Sequence, residues 1–316
     1  MAFISVSGDP ASRHEDLARS VAQRLHYELV TEARLRQLLA SEFGAGAQIP
    51  DKAYPHAASS ILVQLATQYH LVVSAPGAER MFAHFPGVLR VLVTASEARR
   101  VGNLMLDQRL ERAPARALLE ELSARQVADT RKQFGRAKLP LSHFDLMLNA
   151  ESFGADAASI VAAAAEARGL PGEGLLSQPA AAQMQFQLRM ELARHGMVPA
   201  GQASLERKPF GHPSEQIFAN LLDFYRIAWE YEPRSFPLQW DKDGNVTEAF
   251  TPDFFLPDLD LYVELTTMKQ ALVTRKNRKI KLLRAIYPHV NIQVFYQKDF
   301  QDLIFKHGLT QPAGAL

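Results

Sequence analysis

The sequence predicts a two-domain α/β protein. Its 316 residues are too many for one ordinary core and suit two domains of about 150 residues each. The first half alternates apolar runs with helical patterns, which is typical of a parallel sheet covered by helices. From His212 onward the order becomes helix, hairpin, strand, helix and strand, which predicts a second α/β domain with a mixed sheet.

Composition narrows the class of protein. Hydrophobic residues make up 47% and charged residues 22%, as in a soluble globular protein. The chain has no cysteine, which excludes disulfides and thiolate metal sites and leaves oxygen or histidine as metal ligands. No apolar stretch approaches the roughly 18 residues of a membrane helix, and the opening MAFISVSG suits a strand better than a leader. We therefore expect a cytoplasmic protein that does not contact membranes.

The domain boundary is predicted from turn-forming residues. An alanine-rich helix over residues 155–168 closes the first domain, and the glycine- and proline-rich GLPGEGLLSQP follows it. An amphipathic helix is expected over 181–195. These features predict a first domain at 1–170, a helical linker at 171–204 and a second domain at 205–316. The main apolar runs before the boundary are FISV, ILVQLA, LVVS, VLRVLVT and FDLMLN.

Several segments of the first domain share the pattern of one enzyme family. The opening ISVSGDPASRHEDLARSVAQRL resembles the first strand, loop and helix of a cytidylate kinase-like P-loop domain. VLRVLVTASEARR, DTRKQFG and HFDLMLN resemble its later strand and basic helix start, its lid end and its final strand. This resemblance implies a parallel-sheet nucleotide-kinase-like fold over residues 1–170.

The phosphate loop of that family is altered in this chain. The working motif is G-x-x-x-x-G-K-S/T, in which backbone amides curl around phosphates and the lysine reaches the outer ones. Gly8 is present, but Arg13 stands at the second glycine, His14 at the lysine and Glu15 at the hydroxyl residue. We expect a degenerate domain that serves as a scaffold, dimer surface or regulatory module. Nucleotide binding at Gly8, Arg13 and His14 is left open. Phosphoryl transfer is the alternative.

The segment EAFTPDFFLPDLDLYVELTTMK contains two carboxylates at an informative spacing. A strand beginning near Asp253, a two-residue turn at Pro257 and Asp258, and a strand carrying Glu264 form a hairpin. The hairpin brings both carboxylates within reach of one ion. With the carbonyl of Leu265 they offer oxygen ligands that suit Mg²⁺ or Mn²⁺.

Apolar residues occupy both faces of these strands, so Glu264 is expected to be buried. An unpaired buried carboxylate is costly, and a metal ion or another cation would relieve that cost. The alternative is an ordinary hairpin with an exposed turn.

This pattern and element order resemble the PD-(D/E)XK nuclease superfamily. The resemblance implies an Mg²⁺- or Mn²⁺-dependent nuclease, an endonuclease acting on DNA or RNA, with Asp253 and Glu264 as catalytic metal ligands and Leu265 contributing its carbonyl. Glu215, in the preceding helix, matches the acidic residue that many members add to the site. A homodimer is left open, since nucleases that cut both strands often pair their sites.

The chain departs from the E-x-K motif, because Thr266 stands at the lysine position. Some members supply this lysine from the following helix. At roughly 100° per residue, Lys276 and Lys279 fall on the apolar side of that helix. Lys276 is favoured as the replacement, then Lys279, with Lys269 third.

A basic run surrounds these lysines. From Lys269 to Arg284 there are seven lysine or arginine residues and no acidic residue, which suits phosphate contacts but also an ordinary solvated helix face. The predicted function is a metal-dependent phosphodiester hydrolase; the alternatives are a non-catalytic nucleic-acid or partner-binding module and a nucleotide kinase. The expected nucleic-acid contacts are Lys269, Arg275, Arg278, Lys281 and Arg284.

Overall fold

The computed structural model describes residues 1–82, 85, 87–200, 210–266 and 270–306. Within these ranges the side chains of residues 155, 270–275, 297 and 306 are not described. The chain divides into two compact units, an N-terminal unit Met1–Leu188 and a C-terminal unit Arg189–Leu316. No helix in the described ranges is long and apolar enough to cross a membrane.

A five-stranded parallel sheet forms the centre of the N-terminal unit. The strand order is β2-β3-β1-β4-β5, and every adjacent pair is parallel. Near-continuous apolar runs such as LVVS are typical of strands buried on both faces. The strands are β1 Phe3–Gly8, β2 Glu28–Thr31, β3 Leu71–Ser74, β4 Val88–Thr94 and β5 Leu146–Asn149.

Helices connect these parallel strands. One face of the sheet packs against α1 and α7 through a cluster that includes Ile4, Val91 and Val161. The mixed α/β architecture and the five parallel strands are consistent with the predicted kinase-like fold. The helices are α1 His14–Leu25, α2 Glu32–Phe43, α3 Tyr54–Ala66, α4 Glu97–Gln108, α5 Arg112–Phe134, α6 Ala150–Phe153 and α7 Ala157–Ala167.

The segment predicted as a linker has a packed first part. Leu170 and Leu176 are buried, and the backbone N–H of Leu176 donates to the carbonyl of Ala66. Helix α8, Gln178–Arg194, follows, and the division between the units falls within it. The Ser60 hydroxyl donates to Gln185 of this helix. The two buried leucines and these hydrogen bonds therefore attach this stretch to the N-terminal unit.

The C-terminal unit contains a four-stranded mixed sheet and a separate hairpin. The sheet order is β11-β10-β9-β6, with β10 parallel to β11 and antiparallel to β9. Strands β7 and β8 pair only with each other in the described part of the chain. The elements are α9 Pro213–Phe224, β6 Glu230–Tyr231, β7 Phe236–Trp240, β8 Val246–Phe250, β9 Phe254–Leu256, β10 Leu261–Leu265, α10 Gln270–Ile286, β11 Ile292–Phe295 and α11 Phe300–Lys306.

The connection between β9 and β10 corrects the sequence prediction. A two-residue turn at Pro257 and Asp258 was wrong; a 3-10 turn over Pro257–Leu259 stands there instead. Common two-residue hairpin turns need positive φ at their first central residue, which the proline ring forbids. The left-handed residue falls later, at Asp260, whose φ is 44°.

The sequence pattern predicts α10 over 274–287, with Lys276 in its first turn. The helix begins earlier, at Gln270, so Lys276 lies in its second turn. Ile280 and Leu283 of this helix are buried in a cluster with Phe236 and Phe250 of the hairpin. The helix therefore has a fixed rotation about its axis. Lys276, four and seven residues before these two, shares their side of the helix.

Candidate active site

Asp253 and Glu264 lie opposite each other on adjacent strands. The β9–β10 register pairs Phe254 with Val263 and Phe255 with Tyr262, and continuing it by one residue sets Asp253 against Glu264. Directly opposed residues of an antiparallel pair point to the same face. The Asp253 carboxylate also accepts a 2.6 Å hydrogen bond from the backbone N–H of Leu265, which fixes it at the end of β10. Glu264 is 1% exposed.

Lys276 reaches this pair from α10. Its Nζ lies 2.5 Å from Oε1 of Glu264 and donates to the Leu265 carbonyl at 3.1 Å. The lysine side chain is 40% exposed and the glutamate side chain 2%. The structure therefore brings together Asp253, Glu264, Leu265 and Lys276.

Burial makes both carboxyls hard to ionise, and nearby negative charges add to the effect. Burial raises the pKa of Asp253 to about 6, although Lys276 and the Leu265 N–H oppose the rise. Burial, and then the charge of Asp253, raises the pKa of Glu264 to about 7. Two carboxylates with one ammonium leave an excess negative charge in a poorly hydrated place.

The pKa of Lys276 responds to the same charges. Burial lowers it, but the charge and hydrogen bond of Glu264 outweigh burial, so the net pKa is raised. This rise requires an ionised glutamate, whereas the raised pKa of Glu264 favours its neutral form. Glu264 holds its proton to a higher pH because it is buried beside Asp253, and Lys276 holds its proton because Glu264 and Asp253 lie close to it.

One oxygen of the pair lacks a hydrogen-bond partner among the residues that the structure describes. Oε2 of Glu264 is buried and, within the described part of the chain, makes no hydrogen bond. Across the same residues, no three histidine or acidic side chains are grouped closely enough to hold a metal ion by themselves. A cation here would rely on two carboxylates, a carbonyl and water.

Glu215 has other partners. Its Oε2 accepts hydrogen bonds from the backbone N–H groups of Gly211 at 2.9 Å and His212 at 3.2 Å, and from the Tyr231 hydroxyl at 2.8 Å. It is the acidic member of a capping box that begins α9. Its charge still raises the pKa of Asp253. The predicted role of Glu215 at the metal stays a prediction.

The other predicted basic residues lie elsewhere on α10. Lys279 donates to the Ala249 carbonyl at 2.9 Å, and Arg278 pairs with Glu248 at 2.5 Å. Lys281 and Arg284 are exposed, and Arg284 also donates to the Ile292 carbonyl. Lys269 and the side chain of Arg275 lie outside the described residues.

Sequence analysis missed Glu232. Its backbone N–H donates to the Asp253 carbonyl at 2.9 Å, and its φ of 44° is rare for a side-chain-bearing residue. Its charge contributes to the raised pKa of Asp253. Glu232 lies beside Asp253 because β6 pairs with β9. The two residues are well separated along the chain, and their separation does not predict that pairing.

The altered phosphate loop is occupied by its own side chains. The Arg13 guanidinium contacts Asp107 at 2.8 Å and Asp16 at 3.4 Å. His14 Nδ1 lies 3.1 Å from the Ser12 hydroxyl, and burial lowers the pKa of its imidazole despite the opposing charges of Asp9 and Asp16. Neither residue offers a free positive charge equivalent to the motif lysine.

A cavity of about 240 Å³ lies beside Arg13, at the carboxyl ends of β4 and β5. Arg99 and Asn103 also line it. Open α/β sheets bind ligands at this end of their strands. Under the alternative that the N-terminal unit binds a nucleotide, this cavity is the candidate binding site.

Comparisons with known proteins assign no family. No family model and no curated protein matches the sequence. An uncharacterised protein from Eubacterium ventriosum matches at 9% identity and a TM-score of 0.43, covering 52% of this chain and 98% of that one. Shikimate kinase from Bacteroides thetaiotaomicron matches at 13% identity and a TM-score of 0.34, and the match covers 52% of this chain and 98% of that one. Shikimate kinase from Acinetobacter baumannii, in complex with shikimate, matches at 14% identity and a TM-score of 0.34, and the match covers 54% of this chain and 96% of that one. Identities and TM-scores this low carry no argument for this chain.

Proposed function

We propose that the protein is a metal-dependent phosphodiester hydrolase that cleaves nucleic acid. The observation that carries the proposal is the contact of Lys276 with Glu264, beside Asp253. Two carboxylates and an ammonium are held together although burying the charge of Glu264 is costly. Groups kept at such a cost, with strongly shifted pKa values, are candidates for function.

The donor set suits Mg²⁺ or Mn²⁺. Asp253, Glu264 and the Leu265 carbonyl offer hard oxygen ligands, and Oε2 of Glu264 lacks a partner among the described residues. Magnesium keeps several waters, so two carboxylates suffice. When bound, such an ion lowers the pKa of a bound water and neutralises charge that develops on the phosphate.

Lys276 acts in this proposal by its positive charge. Because its pKa is raised above the ordinary value, the side chain holds its proton at neutral pH and is unsuited to remove one. Its N–H groups donate to the phosphate oxygens on which negative charge builds during attack. In the hydrolysis itself, the water oxygen bonds to phosphorus and the phosphorus–oxygen bond to the leaving group breaks. The attacking water gives up a proton to solvent, and the leaving oxygen takes one up from solvent.

The exposed cations of α10 support a phosphate-rich substrate. Arg278, Lys281 and Arg284 lie on the same helix as Lys276 and are solvent-exposed. Basic side chains near a site attract the charged backbone of DNA or RNA and release its counterions. This surface supports nucleic acid as the substrate class.

The N-terminal unit serves in this proposal as a scaffold or regulatory domain. The ion pairs of Arg13 and the buried, neutral imidazole of His14 support it, since phosphoryl transfer needs cations at the outer phosphates. The alternative kinase activity would consume ATP with a nucleoside monophosphate acceptor. A coupled product assay that detects no ATP consumption would eliminate this alternative.

Cleavage assays test the main proposal. Single- and double-stranded DNA and RNA are incubated with the parent protein in Mg²⁺, Mn²⁺ or EDTA. We expect cleavage only with metal, and Asp253→Ala or Glu264→Ala should lower it by roughly 10²-fold or more, because transition-state charge stabilisation is lost.

Asp258→Ala is the matched control. Asp258 is an exposed acidic residue of the same hairpin, so its removal should leave the cleavage rate unchanged. Circular dichroism checks that each variant is folded. Cleavage by both site variants at the parent rate would disprove the site, and metal binding without cleavage would favour the non-catalytic binding module.

A further inference from the structure

The ammonium of Lys276 occupies the place where the proposed site offers its oxygens. Nζ contacts Oε1 of Glu264 at 2.5 Å and the Leu265 carbonyl at 3.1 Å. Asp253 is joined to the same position through the Leu265 N–H. Two of the three oxygen groups expected to hold a metal ion therefore already hold a cation supplied by the chain.

The side chains of Glu264 and Lys276 differ in how freely they can move. Glu264 sits within β10 and its side chain is 2% exposed, whereas that of Lys276 is 40% exposed. Lysine carries its charge on a flexible four-carbon stem. The carboxylate therefore stays in place, and the ammonium can turn towards solvent without disturbing β10.

We propose that Lys276 is the resident counter-cation of the site and that a divalent ion binds by displacing its ammonium from Glu264 and Leu265. This inference rests on the proposed function. An ammonium and a divalent ion on the same carboxylate and carbonyl would repel each other strongly, because little water lies between them. The buried carboxylate of Glu264, for its part, is stabilised by a neighbouring cation whenever it is ionised.

Displacement also determines when the ammonium of Lys276 can contact a substrate. A displaced ammonium turns towards the solvent side, from which a phosphodiester approaches. The metal ion thus both completes the site and releases the lysine for the substrate. Without metal, the lysine stays on Glu264.

Lys279 provides a matched comparison. It carries the same charge on the same helix, but its Nζ donates to the Ala249 carbonyl at 2.9 Å and lies 3.8 Å from Glu248. Removing its charge alters the electrostatic potential of the unit without vacating the contacts on Glu264 and Leu265.

Calorimetric titration with Mn²⁺, without nucleic acid, tests the displacement. Lys276→Met should bind Mn²⁺ at least ~10-fold more tightly than the parent, since no ammonium has to leave, and Lys279→Met should change the affinity by less than about 3-fold. If both variants bound Mn²⁺ more tightly to the same extent, the effect would come from the net charge of the unit. If Lys276→Met bound Mn²⁺ more weakly, the lysine would support binding of the ion. Either result overturns displacement.

A second measurement uses the unaltered chain. With ¹³Cε-labelled lysine, Mg²⁺ should move the Lys276 resonance towards that of solvent-exposed lysines, and an unmoved resonance at saturating Mg²⁺ overturns the inference. Asp253→Asn separates this inference from the function proposed above. If the parent binds no Mn²⁺, both fail; if binding depends on Asp253 but Lys276→Met gains nothing, only displacement fails.

Discussion

Lys276 Nζ lies 2.5 Å from Glu264 Oε1, and the two groups come from elements with different supports. Glu264 is held in β10 between β9 and β11, while Lys276 is carried by α10, which is anchored through Ile280 and Leu283. The ion pair therefore depends on how the helix packs as much as on the sheet. Changes at either residue should be measurable in both stability and catalysis.

The metal-free protein should lose stability as the pH rises from about 4.5 to about 7. Burial and the charge of Asp253 raise the pKa of Glu264 from 4.5 to about 7. In this window the folded chain keeps a proton that the unfolded chain has released, so a rise in pH favours unfolding. Urea unfolding in EDTA at about pH 5 and about pH 8 measures this loss in the parent and in Glu264→Gln.

Glutamine imitates the protonated side chain, so Glu264→Gln should match the parent at the lower pH and be more stable at the higher one. Asp258→Asn, at an exposed position of the same hairpin, should add no such pH dependence. A parent protein that gains stability over Glu264→Gln as the pH rises would contradict the assigned shift.

Lys276→Ala should lower kcat by roughly 10²-fold with little change in KM, because the charge acts on the transition state. Lys276→Arg should recover part of the rate, since a positive charge is restored. Steady-state kinetics at saturating metal measure both. Lys242→Ala, at the exposed turn after β7, is the control for loss of one lysine. A loss confined to KM would place Lys276 in substrate binding alone.

Lys281→Ala should weaken nucleic-acid binding to a similar extent for all sequences. If Lys281 contacts one phosphate, the slope of log affinity against log salt should fall by about 1. Fluorescence anisotropy at several salt concentrations, with metal replaced by EDTA to prevent cleavage, gives this slope. An unchanged slope would remove Lys281 from the contact surface.

Glu215→Ala should reduce the free energy of unfolding by about 1–2 kcal/mol, because the Gly211 and His212 N–H groups and the Tyr231 hydroxyl lose their acceptor. Tyr231→Phe removes the bond from the hydroxyl to Glu215 and the bond from the Gly211 N–H to the hydroxyl. It should cost less, because both N–H groups keep Glu215 as an acceptor. Chemical denaturation compares the two variants. Equal stability of Glu215→Ala and the parent would show that the capping contacts contribute little.

Sequence patterns predicted much of the site geometry. The alternation of side chains along two strands placed Asp253 opposite Glu264, and helix phase placed Lys276 on the inward side of α10 although the helix begins earlier than expected. Both patterns are local, so they can be recognised without knowing the fold. The roles of these residues stay predictions.

Features that depend on distant pairing could not be predicted. Glu232 reaches Asp253 only because β6 pairs with β9, and periodicity carries no information on that choice.

The run ILVQLA belongs to α3, since a short buried apolar run does not distinguish a helix from a strand. Pro252 lies between β8 and β9, where it has no N–H to donate to a neighbouring strand.

Gly8 has a packing requirement of its own. A Cβ atom added there would lie 2.3 Å from the Ser12 hydroxyl, 3.0 Å from the Val93 carbonyl and 3.1 Å from Cβ of His14. Ser12 is fully buried, so it has little room to yield. Selection for close packing alone would keep glycine at this position after phosphate binding had been lost, so its presence is poor evidence of an ancestral substrate.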